Sequence, residues 1–302
     1  MSLLHRRVIV AILWVLVCAA SSPALRAQAP AQAPTAVLTP EEMRVFLAEA
    51  KIVKTRSSGK GVTNTIRATL SDGRLTHDAQ IQTVDVARSL FEAGAKSEVN
   101  FKDTYRFNIA AYELARLIGL DNVPMSVERE YRGKPGSMTW WLDDLLMLDG
   151  KVVDEEVRVK KQVKAPDSLR FVHFVQIMRV FDELIQNVDR NQGNAIWDKT
   201  WKMWLIDHTR TFREGRELKK PELLLTCERG LFEGLRRLTA EALAQAVGRN
   251  LTKGEVEAVM VRRDLIVKHY EARIGAASES AVLFTLAAAD RVPAGSVSAP
   301  AR

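Results

Sequence analysis

Three oxygen-bearing side chains stand out by type and spacing. Asp189 and Asn194 lie five positions apart in Asn187-Val188-Asp189-Arg190-Asn191-Gln192-Gly193-Asn194, and Asp207 follows in Trp204-Leu205-Ile206-Asp207-His208-Thr209-Arg210-Thr211-Phe212. A carboxylate can orient a hydroxyl and take its proton. An amide oxygen beside a second carboxylate suits a hard divalent cation such as Mg2+, which prefers few protein oxygens and completes its shell with phosphate and water. Together the three groups make the set that phosphoryl transfer uses. Asp189 is the candidate base, and Asn194 and Asp207 are the candidate metal ligands.

The elements around them must bring distant parts of the chain together. Thr39-Pro40-Glu41-Glu42 starts a helix that runs to about Ala50: Thr39 caps, Pro40 fits the first turn, and Glu42 stands three residues after the cap. Residues 51–86 read as a β-meander, with alternation over Asn64–Leu70 and Leu75–Val84, a tight turn at Ser71-Asp72-Gly73, and the polar Ser58-Gly59-Lys60-Gly61 loop at one end. Tyr105–Leu120 keeps helical spacing through Ile109, Tyr112, Leu114 and Leu117, with Gly119 at its end. Val123–Tyr131 and Ser137–Leu142 read as paired strands across an Arg132–Gly136 turn. A long apolar-periodic helix spans Ser168–Asn187, and further helices fill 221–248 and 252–275. A β-rich stretch with one helix, then a mostly helical stretch, predicts an α+β fold of two lobes with the ligand in the crevice between them.

With these elements in place, the sequence resembles the atypical kinases of the protein-kinase-like fold, nearest the secretory-pathway casein-kinase type, with HipA-like, spore-coat and phosphoinositide kinases as more distant relatives. Asp189-Arg190-Asn191-x-x-Asn194 and Ile206-Asp207-His208-Thr209 match the catalytic and metal loops of those families, and Phe107–Leu117 with Val123-Pro124 matches their N-lobe helix and following strand. The resemblance covers most of residues 50–275. It implies a small β-rich N-lobe (37–145), a helical C-lobe (146–287), ATP or another nucleotide with Mg2+ or Mn2+ as cofactors, and a hydroxyl-bearing protein or small molecule as acceptor.

The match breaks at one pair. Active kinases carry a lysine on the third strand that pairs with a glutamate on the next helix. Here the strand reads Asp78-Ala79-Gln80-Ile81-Gln82-Thr83-Val84, so Gln82 takes the lysine place and Asn108 the glutamate place, unless Glu113 is the helix acid. Lys60 or Lys102 are the candidate replacement cations, and backbone amides of Gly59 and Gly61 are candidate phosphate donors. The alternative reading is therefore a pseudokinase that binds a ligand or partner without transfer.

The chain start has its own logic. His5-Arg6-Arg7, an apolar run Val8–Ala20 and small residues after it follow the order of a cleaved secretory signal, ending at Ala24 or Ala27. The apolar run is short for a bilayer span. The expectation is a periplasmic or secreted bacterial protein with a signal at 1–27, an Ala/Pro/Gln linker at 28–36 and a disordered tail at 288–302. Cleavage at Ala27 removes Arg6, Arg7 and Arg26 and lowers the net charge from +7 to +4, which gives no argument for nucleic acid. The 302 residues, 47% hydrophobic and 27% charged, exclude rods, collagen and polytopic membrane proteins. Two cysteines cannot build a disulfide scaffold, five scattered histidines form no zinc spacing, and no nucleophile-elbow motif occurs.

Overall fold

A computed structural model describes residues 38–57, 65–93, 96–187 and 190–287. The signal, the linker, Gly59, Lys60, Gly61, Asp189 and the tail from 288 lie outside the described residues.

Helix α1 (Pro40–Glu49) begins as its sequence predicts. The Thr39 hydroxyl accepts the Glu42 amide at 3.2 Å while the Glu42 carboxylate accepts the Thr39 amide at 2.7 Å. The helix buries Met43, Phe46 and Leu47. Strands β1 (Lys51–Ser57), β2 (Ile66–Ser71) and β3 (Thr76–Gln82) form the antiparallel meander. Its tight turn is built by Asp72, whose carboxylate accepts the amides of Arg74 and Leu75, and by Gly73 at φ +89°.

A second hairpin follows that the sequence did not announce. Strands β4 (Asp85–Ala93) and β5 (Lys96–Thr104) pair only with each other, and residues 85–90 are all exposed. With 85–90 all exposed, β4 offers no apolar alternation to read there.

Helix α2 (Arg106–Leu117) is the opposite case: every residue from Phe107 to Ala115 is buried. Strands β6 (Ser126–Tyr131) and β7 (Lys134–Trp140) complete a five-stranded sheet of order β1-β2-β3-β7-β6. Their turn is two residues, Arg132 and Gly133, both at positive φ, rather than the expected five. A type I′ turn needs such backbone, and it matches the twist of the strands it joins. Gly136, expected in the turn, lies in β7 instead, because a Cβ there would stand 2.6 Å from the Gln82 carbonyl oxygen.

The rest is mostly helical. Short strands β8 (Met147–Leu148) and β9 (Lys151–Val152) precede α3 (Glu155–Lys160) and α4 (Ser168–Leu184). Strands β10 (Ala195–Trp197) and β11 (Met203–Leu205) form a small hairpin. Strand β12 (Cys227–Glu228), α5 (Arg229–Arg237), α6 (Ala240–Val247), α7 (Lys253–Ala276), α8 (Glu279–Val282) and β13 (Leu283–Phe284) close the chain. Among the described residues no helix is long and apolar enough to cross a membrane.

Helix α4 is the axis of this half. Phe174, Ile177, Val180, Phe181 and Leu184 are buried, and side chains of that size each contribute about 1.5–3 kcal/mol on burial. The fully buried Arg262 of α7 caps its end, donating Nε to the Leu184 carbonyl at 2.8 Å and Nη1 to the carbonyls of Arg213 and Gly215. Burial pushes that guanidinium down to about 10. The segment between α2 and β6 binds the β10–β11 hairpin: Leu205 donates its amide to the Asn122 carbonyl at 2.9 Å, and the Asn122 amide group returns a bond to the Met203 carbonyl at 3.1 Å.

Candidate functional site

The β10–β11 hairpin sets the centre of the site. Asn194 ends the 3-10 turn before β10, and Ile206 follows β11. The Ile206 amide donates to the Asn194 carbonyl at 3.0 Å, so two residues far apart in sequence sit across one backbone bond. Arg190 reinforces the junction, its Nη1 donating to the carbonyls of Asn194 at 3.3 Å and Ile206 at 3.4 Å. Its Nε is bound to the Asp182 carboxylate of α4 at 3.0 Å, and Asn187 Nδ2 donates to the same carboxylate at 3.1 Å. The residues that flank 188–189 are therefore both held by Asp182.

Asp207 has φ +55°, a left-handed backbone that aspartate tolerates better than most residues. Its Oδ1 accepts from Gln82 Nε2 and from the Thr209 hydroxyl, each at 3.3 Å. Gln82 Oε1 accepts from Asn108 Nδ2 at 2.5 Å, and Asn108 Oδ1 accepts the His208 amide at 2.8 Å. Gln82, Asn108 and Asp207 thus form one chain of hydrogen bonds from strand to helix to metal-loop candidate. Glu113 faces away from this chain of bonds, bound to Arg44 of α1 at 2.7 Å and to Arg116 at 3.1 Å.

His208 is buried, and burial first, then the Arg190 charge, push its imidazole well below the ordinary histidine range. It is neutral at neutral pH, and its edge meets Phe181 with centroids 5.8 Å apart. Lys102 is engaged elsewhere, its ammonium 2.5 Å from the buried Glu255 carboxylate at the start of α7.

The residue that sequence reasoning passed over is Asp103. It lies at the base of the β4–β5 hairpin; burial first, and the charge of Asp207 as well, raise its carboxyl, against a Thr209 hydrogen bond and Arg210. Its Oδ1 is buried with no hydrogen-bond partner among the described residues. Only its position beside Lys102 hinted at it, because the partner that gives it meaning, Asp207, is distant in sequence.

A narrow cleft of about 10 Å³ opens where these groups meet, lined by Gln80 and Gln82 of β3, Asn108, Val123, Thr139 and the 206–208 segment. That is far below the roughly 300 Å³ at the low end of small-ligand sites, so a nucleotide binding here requires the cleft to widen.

The same arrangement of sheet, helix and hairpin occurs in solved structures. The hydra Fam20 structure with sugar superposes with a TM-score of 0.59 at 16% identity, covering 81% of this chain and 92% of that one. The Golgi casein kinase matches with a TM-score of 0.57 at 14% identity, and its form with Mn/ADP bound with 0.58 at 13%; each pairing covers 80% of this chain and 78% of the other. The chain has an atypical protein-kinase-like fold. No protein-family model matches the sequence, and no curated protein does.

In this kinase-like fold, whether the residues suit a divalent cation depends on their donor atoms. Asn194 and Asp207 offer an amide oxygen and a carboxylate at adjacent backbone positions, and Asp103 adds a partnerless buried carboxylate oxygen close to Asp207. All are hard oxygen donors, the chemistry that Mg2+ and Mn2+ take. Among the described residues no group of three or more His, Cys, Asp or Glu side chains stands where it could hold a metal ion.

Proposed function

We propose that the chain is an exported phosphotransferase of the atypical kinase type, which transfers a phosphoryl or nucleotidyl group from a metal-bound nucleotide to a hydroxyl on a protein or small molecule. The observation that supports this reading is the Ile206–Asn194 backbone bond, which joins the two segments that carry the candidate metal ligands, with Asp207 lining the cleft. In this reading Asn194 and Asp207 hold Mg2+ or Mn2+, which would neutralise phosphate charge. Asp189 orients the acceptor hydroxyl and takes its proton, while Gln82 and the 59–61 glycine loop, with Lys60, approach the phosphates. Lys102 reaches them only by leaving Glu255. The Mn/ADP bound to the Golgi casein kinase supports a nucleotide with a divalent metal.

Calorimetric titration with ADP or ATP, in the presence and absence of Mn2+, tests the site. Metal-dependent binding that disappears in Asp207→Asn supports it, and binding unchanged by that substitution overturns it. Incubation with labelled ATP tests transfer, which should vanish in Asp189→Asn. The mass of the mature N-terminus after expression with residues 1–27 tests export.

One observation favours a second reading. The Gln82–Asn108 pair replaces a cation with a neutral amide where phosphates would be held. A binding module without transfer follows if nucleotide binds in a metal-dependent way while no acceptor, the protein itself included, becomes labelled.

A further inference from the structure

A second pocket is separate from the cleft. It is a half-open hollow of about 250 Å³ between the C-terminal turns of α4 and residues 219–223. That is just under the roughly 300 Å³ at which small-ligand sites begin, so it suits a small ligand. Its wall carries two acids and four cations, and the hydrogen bonds show which of them are already engaged. The Glu183 carboxylate accepts the backbone amides of Lys219 at 2.7 Å and Lys220 at 2.8 Å. Asp182 is held by Arg190 and Asn187, as described above. Lys219 pairs with Glu217.

Two cations remain with capacity to bind. Among the described residues the Lys220 ammonium pairs with no carboxylate, and Arg179 makes one long bond, 3.5 Å, to the Leu223 carbonyl. Met178 and Leu223 supply apolar wall beside them. The acids are thus saturated by protein donors while cationic donors point to an unfilled volume that also has an apolar side. A ligand completing this wall is an anion with a hydrocarbon body.

We propose that this cavity is a binding site for a small organic oxyanion, a phosphate or carboxylate, whose charged head is held by Lys220 and Arg179 and whose body lies on Met178 and Leu223. The Asp182–Arg190 pair forms its floor, and Arg190 reaches the carbonyls of Asn194 and Ile206. The occupant sits one guanidinium away from the candidate metal ligands. The proposal does not depend on transfer in the cleft.

The test uses inorganic phosphate for the head alone and phenyl phosphate for head and body, titrated calorimetrically into the full mature chain without metal or nucleotide. Phenyl phosphate should bind more tightly than phosphate. The double variant Arg179→Gln/Lys220→Glu should weaken it at least about tenfold, since each position removes a charge-assisted donor. Lys253→Glu, the same charge reversal on an exposed lysine at the start of α7, should leave affinity within twofold. Asp207→Asn should bind phenyl phosphate as the parent does, which separates this site from the cleft. Lys220→Gln alone repeats the test if the double variant folds poorly. No binding by the parent chain, or equal weakening by Lys253→Glu, overturns the proposal.

Discussion

The amide of Ile206 donates to the carbonyl of Asn194 at 3.0 Å, and this bond ties the open end of the β10–β11 hairpin, with Asn194 just before β10 and Asp207 two residues after β11. The contact is made by backbone alone, so the Asn194 side chain can be removed without breaking it. Asn194→Ala should keep the melting temperature within a few degrees of the parent and lose the stabilisation that Mn2+ with nucleotide confers. A thermal melt with and without that pair checks both halves.

The Gln82–Asn108 contact invites a reversal experiment. Both side chains are buried, so Gln82→Lys alone buries an ammonium that, among the present partners of Gln82, only the Asp207 carboxylate can answer, and should lower the melting temperature. Adding Asn108→Glu supplies the countercharge. The double variant should recover much of the loss, with a coupling of about 1–3 kcal/mol in a double-mutant cycle read from urea unfolding. Additive losses would show that the two positions do not share one contact.

Lys102 bridges the β4–β5 hairpin to α7 through Glu255. Lys102→Met should leave Glu255 buried beside an apolar group, reducing stability by about 1–3 kcal/mol. Nucleotide affinity should stay within twofold. A large loss of affinity in calorimetry would instead make Lys102 a phosphate ligand.

Gly234 of α5 lies against the end of α2, where a Cβ would stand 2.2 Å from the Ile118 carbonyl oxygen. Backbone cannot move aside cheaply. Gly234→Ala should destabilise by about 1–3 kcal/mol despite its better helix propensity, visible as a lower urea midpoint.

Asp78 gives a pH dependence with a definite sign. Burial pushes its carboxyl up, but the Thr69 hydroxyl and the Arg67 guanidinium outweigh it and hold the group below the usual carboxylate range. A lowered folded pKa contributes stability above the unfolded value, near 4, and that contribution is lost as pH falls through the folded one. The stability gap between the parent and Asp78→Asn should be largest near neutrality and shrink below pH 4. Urea midpoints across that window check it.

What the sequence made legible was local. Thr39 and Glu42 are three residues apart and their reciprocal cap needs no distant partner, so it reads directly. The β1–β3 meander reads from alternation because one face is buried. Asn194 and Asp207 stand out as a candidate pair because only a short hairpin separates them. Asp103 did not, since its neighbour Asp207 is a hundred residues away. The anion cavity did not either: Lys219 and Lys220 look like a surface pair until Glu183, distant in sequence, is seen to hold their backbone against α4. The first residues of the basic run Arg158–Lys164 close α3, where Asp154 caps the start and Arg158 pairs with Glu155 at 2.7 Å.

Neither Gln82 nor Asn108 titrates, and neither carries charge for dissolved ions to screen. A lysine–glutamate contact in that place would loosen in acid, where the glutamate protonates, and in brine, where attraction fades. The amide pair keeps its strength in both, so the joint between sheet and helix is indifferent to the medium in which the protein works.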